Sequence, residues 1–287
     1  MMDLNMFVPD VTFEKIPIKN LVSNQDYQRS LSLGHVDKAA AHFDPYQINP
    51  VKVSRRDGIN YVFNGQHTIE IVAKVSGSRD TPVWCMVYHD LAYTQEADIF
   101  ANQMKYVKPL LAYEVFVANL EAGSDAQLII KSIVDSYGLK IGIKKSSDTI
   151  VAISTVESIF MKYGFHVLDR VLLLIVSTWE GEQNSFSANM LNAVAKLVVT
   201  YGDALQDEIF KEKLGAISIK LLSRTAKERR PGFMGYAETM VIEYNGRKKD
   251  ATRLSIQKLY EKDKSHPVTA LTSDNYFEGQ MTIATEE

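Results

Sequence analysis

The sequence has little cysteine, and this scarcity excludes whole classes of site. Cys85 is the only cysteine in 287 residues, so neither an intramolecular disulfide nor a cysteine-rich zinc module can form. It lies in the apolar run 82–88, which is typical of a buried strand thiol and not of a reactive one. The six histidines show no chelating i, i+4 pair, and we predict no metal site.

Long apolar runs are also scarce, and we expect no signal peptide at the start of the sequence. No stretch approaches the ~20 apolar residues of a membrane span, and the start, Met-Met-Asp-Leu-Asn, lacks the basic and apolar regions of a signal peptide. We therefore expect a cytoplasmic protein with no membrane partner. The net charge is only -3, although residues 220–253 carry nine Lys/Arg against four Asp/Glu. Any affinity for nucleic acid must then come from a local patch.

The hydrophobic pattern divides the chain into parts. Up to residue 107, short strand-like runs alternate with short helices, whereas helical spacing dominates from 108 to 261. We predict an α+β protein with a mixed α/β domain over 1–107, an all-α helical domain over 108–261 and a polar tail over 262–287. Pro109 is predicted to start the first helix of the second domain. The glycines after Pro231 predict an irregular chain there.

One strand–turn–helix corner in the first domain has the pattern of an anion site. A β-forming run over 61–63 breaks at Asn64-Gly65, and helical spacing resumes at Ile69. Unpaired N–H groups and the helix dipole favour an anion at such a junction, so the corner predicts a phosphate site. The residues at the junction are Gln66, His67 and Thr68. The alternative is a plain glycine turn, with Thr68 capping the helix and His67 solvated.

The order of these segments resembles the ParB/sulfiredoxin-like superfamily over roughly residues 12–110. The resemblance is carried by Ile16-Pro-Ile18, Asp26-Tyr-Gln-Arg29, Ile48-Asn-Pro-Val-Lys-Val53, Tyr61-Val-Phe-Asn-Gly-Gln-His67 and Phe100-Ala-Asn102. Members of that superfamily hold CTP in the ParB clamps and ATP or ADP in the sulfiredoxin and free-serine-kinase branches. The resemblance implies a nucleotide-binding pocket, with Mg²⁺ as a further ligand. The residues implied to hold the nucleotide are Arg29, Asn64, Gly65, Gln66, His67 and Thr68, with Asn102 and Lys105 closing the pocket.

The sequence departs from the superfamily pattern at several positions. Members of the superfamily carry a Gly-x-x-Arg motif on the turn that corresponds to Gly65, and Thr68 stands where that motif has its arginine. A threonine cannot replace the bidentate phosphate fork of an arginine. Gln66 stands where sulfiredoxin has its reactive cysteine, which excludes that chemistry. Ala101 stands where ParB proteins have a glutamate, which argues against metal-assisted hydrolysis. Three interpretations remain: nucleotide binding without fast turnover, an interaction protein with a vestigial pocket, or a phosphotransferase or nuclease with His67 as general base.

Basic residues in the helical part predict a DNA-binding surface. One group follows a helix predicted to end at Tyr137, as in a helix-turn-helix variant with a long connection. A second group is interleaved with the aromatic residues Phe233, Tyr236 and Tyr244, which could stack on bases. The basic residues are Lys140, Lys144, Lys145, Arg229, Arg230, Arg247, Lys248 and Lys249. The alternative is a plain helical bundle with its cations in solvent.

The leading hypothesis combines the predicted nucleotide pocket with the predicted DNA-binding surface. It describes a nucleotide-responsive DNA-binding or regulatory protein of ParB-like type. The resemblance also implies a homodimer, and sequences of this Asn-Gly-Gln-His type suggest a bacterial mobile element or phage as the source.

Overall fold

The computed structural model describes residues 8–23, 27–89, 91–103, 105, 108–180, 182–246 and 253–261. The predicted polar tail and the predicted DNA-binding residues Arg247, Lys248 and Lys249 lie outside the described residues. The predicted α+β class is confirmed. The chain divides into two compact units, Met1–Pro109 (the N-terminal unit) and Leu110–Glu287 (the helical unit).

The N-terminal unit contains a mixed five-stranded sheet in the order β1-β5-β3-β4-β2. The pairs β1/β5 and β3/β4 are antiparallel, whereas β3/β5 and β2/β4 are parallel. Strands β3 and β4 form a hairpin, and Asp57 and Gly58 between them both have positive φ, as a two-residue I′ turn requires. The strands are β1 (Val11–Pro17), β2 (Leu21–Ser23), β3 (Val51–Arg56), β4 (Ile59–Asn64) and β5 (Pro82–His89).

Among the residues that the structure describes in this unit, three helices accompany the sheet: α1 (Leu33–Ala41), α2 (Gln66–Ser76) and α3 (Tyr93–Gln103). The apolar face of α2 buries Ile69 and Val72 in the same core as the strand residues. Cys85 of β5 is fully buried there, as predicted, and burial raises the pKa of its thiol to about 11. The packing of α2 on the sheet fixes the position of its N-terminus, where the phosphate corner was predicted.

The helical unit contains eight α-helices among its described residues. The first begins at Ala112 and not at Pro109 as predicted, because the Glu114 carboxylate accepts the Leu111 N–H at 2.7 Å and caps the helix there. The helices are α4 (Ala112–Glu121), α5 (Asp125–Ser136), α6 (Ile153–Tyr163), α7 (Phe165–Trp179), α8 (Ala188–Tyr201), α9 (Asp207–Gly215), α10 (Ile219–Arg229) and α11 (Phe233–Asn245).

Short elements complete the two units. Strands β6 (Lys140–Ile141) and β7 (Thr149–Ile150) form a parallel pair between α5 and α6. One-turn 3₁₀ segments lie at Ile18–Asn20, Pro45–Gln47, Gly202–Ala204 and Ile256–Tyr260. Within the described ranges, no helix combines the length and the apolar character needed to cross a membrane.

The segment after Pro231 forms α11, and the prediction of an irregular chain is therefore wrong. Glycine disfavours a helix, so Gly235 argued against one in the sequence. Close packing nevertheless requires a residue without a side chain at this position. A Cβ at this position would lie 2.2 Å from the carbonyl oxygen of Arg230. The aromatic residues Tyr236 and Tyr244 of α11 are buried in the core, so the prediction that they stack on bases is also wrong.

Candidate functional site

A cavity of about 440 Å³ lies at the N-terminus of α2 in the N-terminal unit. It is lined by the loop before α1, by the β4–α2 turn, by His35 of α1 and by Phe100 of α3. The structure places six of the predicted nucleotide-binding residues around this one space. They are Arg29, Asn64, Gly65, Gln66, His67 and Thr68.

Gly65 shapes the turn at the base of this cavity. Its φ of 111° lies in the region that favours glycine, and a Cβ there would be 3.2 Å from the Cα and both Cγ atoms of Val51. The first hydrogen bond of α2 runs from the Ile69 N–H to the Gly65 carbonyl at 3.1 Å. The N–H groups of the three preceding residues therefore take no part in the helical ladder. The first turn of α2 holds no acidic side chain, so its positive end favours an anion.

Thr68 belongs to that first turn and does not cap the helix. The cap position is occupied by Gly65, which has no side chain to accept an N–H. The alternative in which Thr68 caps α2 is therefore wrong. The threonine lines the cavity as an additional hydroxyl group.

The segment Tyr27-Gln28-Arg29 is attached to the scaffold by its first two residues. The Gln28 side-chain amide donates to the Val62 carbonyl of β4. The Tyr27 ring packs edge-on against Tyr93, with 5.4 Å between ring centroids. Arg29 follows directly and is exposed at the cavity. The attachment of Tyr27 and Gln28 therefore determines where the guanidinium group of Arg29 can reach.

The buried carboxylate of Glu96 accepts a hydrogen bond from Tyr27 and so helps to fix its position. Glu96 of α3 is fully buried, and its Oε1 lies 2.7 Å from Nε of Arg56 in an ion pair without hydrogen-bond alignment. The Tyr27 hydroxyl donates to Glu96 Oε2 at 3.3 Å. Burial, together with the charge of Glu96, raises the pKa of Tyr27, so the hydroxyl stays a neutral donor. The guanidinium carbon of Arg56 lies 4.3 Å from the centroid of the Tyr61 ring.

The sequence did not reveal this pairing. A carboxylate in the first turn of a helix predicts only a favourable dipole interaction, which is the role expected of Glu96. Within α3, Glu96 is the one buried residue, and no local pattern in the sequence pairs it with Arg56. Only the fold brings the end of β3 against α3.

His67 orients the loop that carries Arg29. Its Nε2 accepts the backbone N–H of Ser32 at 3.1 Å, and its ring lies edge-on to His35 with 5.4 Å between centroids. Burial lowers the pKa of His67, and the charges of His35 and Arg29 lower it further. A neutral ring that accepts at Nε2 carries its proton on Nδ1. Catalysis by His67 as a general base stays a prediction, and proton uptake at Nε2 would break the Ser32 contact.

Asn102 and Lys105, which were predicted to close the pocket, lie outside the lining of this cavity. The side-chain amide of Asn102 donates to the carbonyl and to the carboxylate of Asp98, at 3.1 and 2.8 Å. Neither Asn102 nor Lys105 is among the lining residues. Their role in closing the pocket stays a prediction.

A second cavity, of about 490 Å³, shares His35 and Thr68 with the first. Its walls combine the apolar residues Phe43, Ile48 and Ile71 with polar groups of α1 and of the loop after it. The sequence did not predict this space. Among the described residues, no group of three or more His, Cys, Asp or Glu is placed to hold a metal ion.

The predicted DNA-binding residues of the helical unit lie in two regions. Lys140 on β6 forms an ion pair with Asp148 at 3.1 Å, and the Ser146 hydroxyl and Lys140 together lower the pKa of Asp148 to about 2. Lys144 and Lys145 are exposed in the loop that follows. The pair β6/β7 fills the connection between α5 and α6, which is therefore longer than the turn of a simple helix-turn-helix.

The second region lies at the end of α10. Arg229 is exposed there, and Arg230 lines a cavity of the helical unit. Of the three interleaved aromatic residues, Phe233 alone is exposed. Of the aromatic residues predicted to stack on bases, only Phe233 is therefore accessible near Arg229 and Arg230.

A family model described as "Family of unknown function (DUF6551)" matches residues 22–257. The chain belongs to the DUF6551 family. The DUF6551 match begins in β2 and includes the two cavities described above and helices α4 to α11. No curated protein matches the chain.

One similar solved structure is the crystal structure of the C-terminally truncated chromosome-partitioning protein ParB from Caulobacter crescentus complexed with CTP-gamma-S. The similarity covers 80% of this DUF6551 chain and 99% of that chain, with 13% sequence identity and a TM-score of 0.34. At that TM-score the likeness carries no argument about individual residues.

Proposed function

We propose that the protein binds a nucleoside triphosphate at the N-terminus of α2 and acts as a nucleotide-responsive DNA-binding or regulatory protein. The observation that carries the proposal is the convergence of Arg29 and the first-turn N–H groups of α2 on one cavity. None of the described residues that line this cavity is Asp or Glu. Its charge and its hydrogen-bond donors therefore match a phosphate group.

Arg29 supplies the bidentate donor that Thr68 cannot. An arginine fork matches two phosphate oxygens, and the anchors at Tyr27 and Gln28 reduce the entropy lost when it binds. The Thr68 hydroxyl contributes a single additional donor. The neighbouring cavity, with its apolar wall and shared residue His35, offers space for the base. The resemblance found in the sequence names CTP and ATP as the first nucleotides to test, each with Mg²⁺.

The DNA-binding half of the proposal rests on cations of the helical unit. Lys144, Lys145 and Arg229 are exposed and can contact phosphates, whereas Lys140 must first leave Asp148. Arg230 lines a cavity of the helical unit. The occupied Nε2 of His67 does not favour the phosphotransferase or nuclease alternative.

The nucleotide proposal is tested by thermal shift of the full chain. The ligands are ATP, CTP, GTP and UTP, each with and without Mg²⁺, together with inorganic triphosphate. At a hundredfold excess over its Kd, a bound ligand should stabilise the native state by about 2.7 kcal/mol. Arg29→Gln should abolish the shift. The matched control Lys19→Gln removes an exposed cation of the same unit, paired with Asp80, and should keep the shift.

The outcome separates the three interpretations of the pocket. A shift with one triphosphate that Arg29→Gln abolishes supports nucleotide binding. No shift with any ligand would mean that the pocket is vestigial. Steady release of phosphate that is lost in His67→Ala would instead favour the enzyme.

DNA binding is tested by fluorescence anisotropy with a labelled duplex across a salt series. The logarithm of the binding constant should fall linearly with the logarithm of salt concentration. The double variant Lys144→Glu with Lys145→Glu should weaken binding, while the exposed control Lys211→Glu on α9 should not. Equal affinity in both variants would contradict the assigned surface. A change in duplex affinity with saturating nucleotide would show that the protein is nucleotide-responsive.

A further inference from the structure

The helical unit contains a cavity of about 430 Å³ whose lining combines cations with aromatic rings. It lies between α6, α8, the start of α11 and the 3₁₀ segment Ile256–Tyr260. None of its described lining residues is acidic. The cations and rings that line it are Lys162, Lys196, Arg230, Tyr163, Phe233 and Tyr260.

Arg230 and Tyr260 hold each other in place at this cavity. Arg230 Nη1 donates to the Tyr260 hydroxyl at 2.8 Å, and the guanidinium carbon lies 5.3 Å from the ring centroid. The Tyr260 hydroxyl donates in turn to Glu238, whose carboxylate lies 3.8 Å from Arg230. That hydrogen bond raises the pKa of Tyr260, so the ring stays neutral. Tyr260 is nevertheless 52% exposed, so much of its ring is accessible.

Phe233 adds a second aromatic surface. It is the first residue of α11 and is 37% exposed, although the other aromatic residues of that helix are buried. An exposed phenylalanine next to an arginine is a stacking platform of the kind that binds bases. The fold therefore separates this ring from the core to which Tyr236 and Tyr244 belong.

The two lysines come from different helices and meet at the same cavity. Lys162 in the last turn of α6 donates to the Tyr163 hydroxyl at 2.5 Å, and Lys196 of α8 donates to the Glu261 carbonyl at 3.4 Å. Phosphate-binding grooves of single-strand-binding proteins use the same combination of cations and stacking rings.

We propose that this cavity binds one unpaired nucleotide of single-stranded DNA. The base stacks on Phe233 or Tyr260, and the adjoining phosphate meets Lys162, Lys196 and Arg230. The volume is within the range of ligand pockets, roughly 300–1,000 Å³. Arg229 is exposed beside Arg230 and can contact the phosphate of the next nucleotide in a strand. A free mononucleotide has no such second phosphate, so it would lack this contact. The inference rests on the proposed affinity of the helical unit for nucleic acid and names its single-strand site.

The test is fluorescence anisotropy of the full chain with a labelled thymidine oligonucleotide, a duplex of the same length and thymidine monophosphate as competitor. Phe233→Leu keeps an apolar side chain but removes the stacking face. It should weaken single-strand binding by about 5- to 150-fold, since a stacked base contributes roughly 1–3 kcal/mol. Lys196→Gln should lower affinity and reduce the steepness of the salt dependence by about 0.7, the amount expected for one phosphate contact on a single strand.

Controls separate this inference from the proposed function. Lys211→Gln, an exposed lysine of α9, should bind single strands like the wild type. Far-ultraviolet circular dichroism and Tm verify that Phe233→Leu and Lys196→Gln remain folded. Arg29→Gln should lose the nucleotide thermal shift and keep single-strand binding, because it lies in the N-terminal unit.

Three results would overturn the inference. Unchanged single-strand affinity in both Phe233→Leu and Lys196→Gln would exclude the cavity, even if duplex binding persists and the proposed function stands. Competition by thymidine monophosphate at the affinity of the oligonucleotide would assign the cavity to a free nucleotide. Absence of binding to both single strand and duplex would remove the inference together with the DNA-binding half of the proposed function.

Discussion

Replacing Glu96 by alanine tests whether a buried ion pair supports the loop that carries Arg29. Glu96 is fully buried, whereas its partner Arg56 keeps 27% of its side chain exposed. Removing one member of a buried pair costs about 3–5 kcal/mol. Because Arg56 can turn partly toward water, we expect the low end, about 3 kcal/mol. The change also removes the acceptor of the Tyr27 hydroxyl.

Hydrogen exchange followed by mass spectrometry measures this loss of stability within the N-terminal unit. A destabilisation of about 3 kcal/mol corresponds to roughly 150-fold faster exchange of the protected β3 and β4 amides. Peptides of the helical unit serve as an internal reference in the same sample. Arg29 should also become less ordered, so that nucleotide affinity falls with stability.

Glu70→Ala is the matched control in the same unit. Glu70 pairs with Arg79 at 3.0 Å, but their side chains are 28% and 51% exposed. Solvent-exposed pairs contribute about 0–1 kcal/mol, so exchange should rise less than tenfold. If Glu96→Ala accelerated exchange no more than Glu70→Ala, the assignment of Glu96 as a structural support would be refuted.

Three further predictions follow from single positions. Gly65→Ala should destabilise the protein by about 2 kcal/mol, since its φ and the 3.2 Å approach to Val51 both oppose a Cβ; an unchanged denaturant midpoint would contradict this. The lowered pKa of His67 means that the unfolded chain binds more protons, so wild-type stability should fall as pH drops below about 6.5. His67→Gln should flatten this dependence of Tm on pH, and an equally steep curve would count against it. Gly235→Ala should cost the helical unit about 3 kcal/mol through overpacking, and a wild-type Tm would be inconsistent with the 2.2 Å contact.

Local features of the fold could be predicted from the sequence because they depend on neighbouring residues. Asp57-Gly58 specifies a hairpin through its preference for positive φ, and Asn64-Gly65 ends a strand for a similar reason. The apolar setting of Cys85 predicted a buried thiol. Trp179, which follows a long apolar segment, is 2% exposed as the same reasoning expects.

The remaining features depend on contacts between distant segments. No spacing rule links Arg56 to Glu96, and their pairing arises only when β3 and α3 meet. The glycine-rich start of α11 disfavours a helix locally, yet close packing against α10 requires Gly235. Tyr244 looks like a member of a basic surface but lies in the core, where its hydroxyl accepts the Gln206 N–H at 2.9 Å.

The cationic cavity of the helical unit shows the same limit. Phe233 and Arg230 are close in sequence and were grouped correctly as neighbours. Lys162 and Lys196 were not predicted, because they come from helices that approach the cavity only in the folded chain. Sequence patterns therefore found only the part of this cavity that is contiguous in the chain.

The burial of Cys85 makes the natural chain a ready background for site-specific labelling. Its thiol is inaccessible, and a pKa of about 11 leaves little thiolate at neutral pH to react with a maleimide. A cysteine introduced at an exposed position such as Lys38 or Lys144 would then be modified alone. Fluorescent or spin-label probes can report separately on each unit without first removing a native thiol.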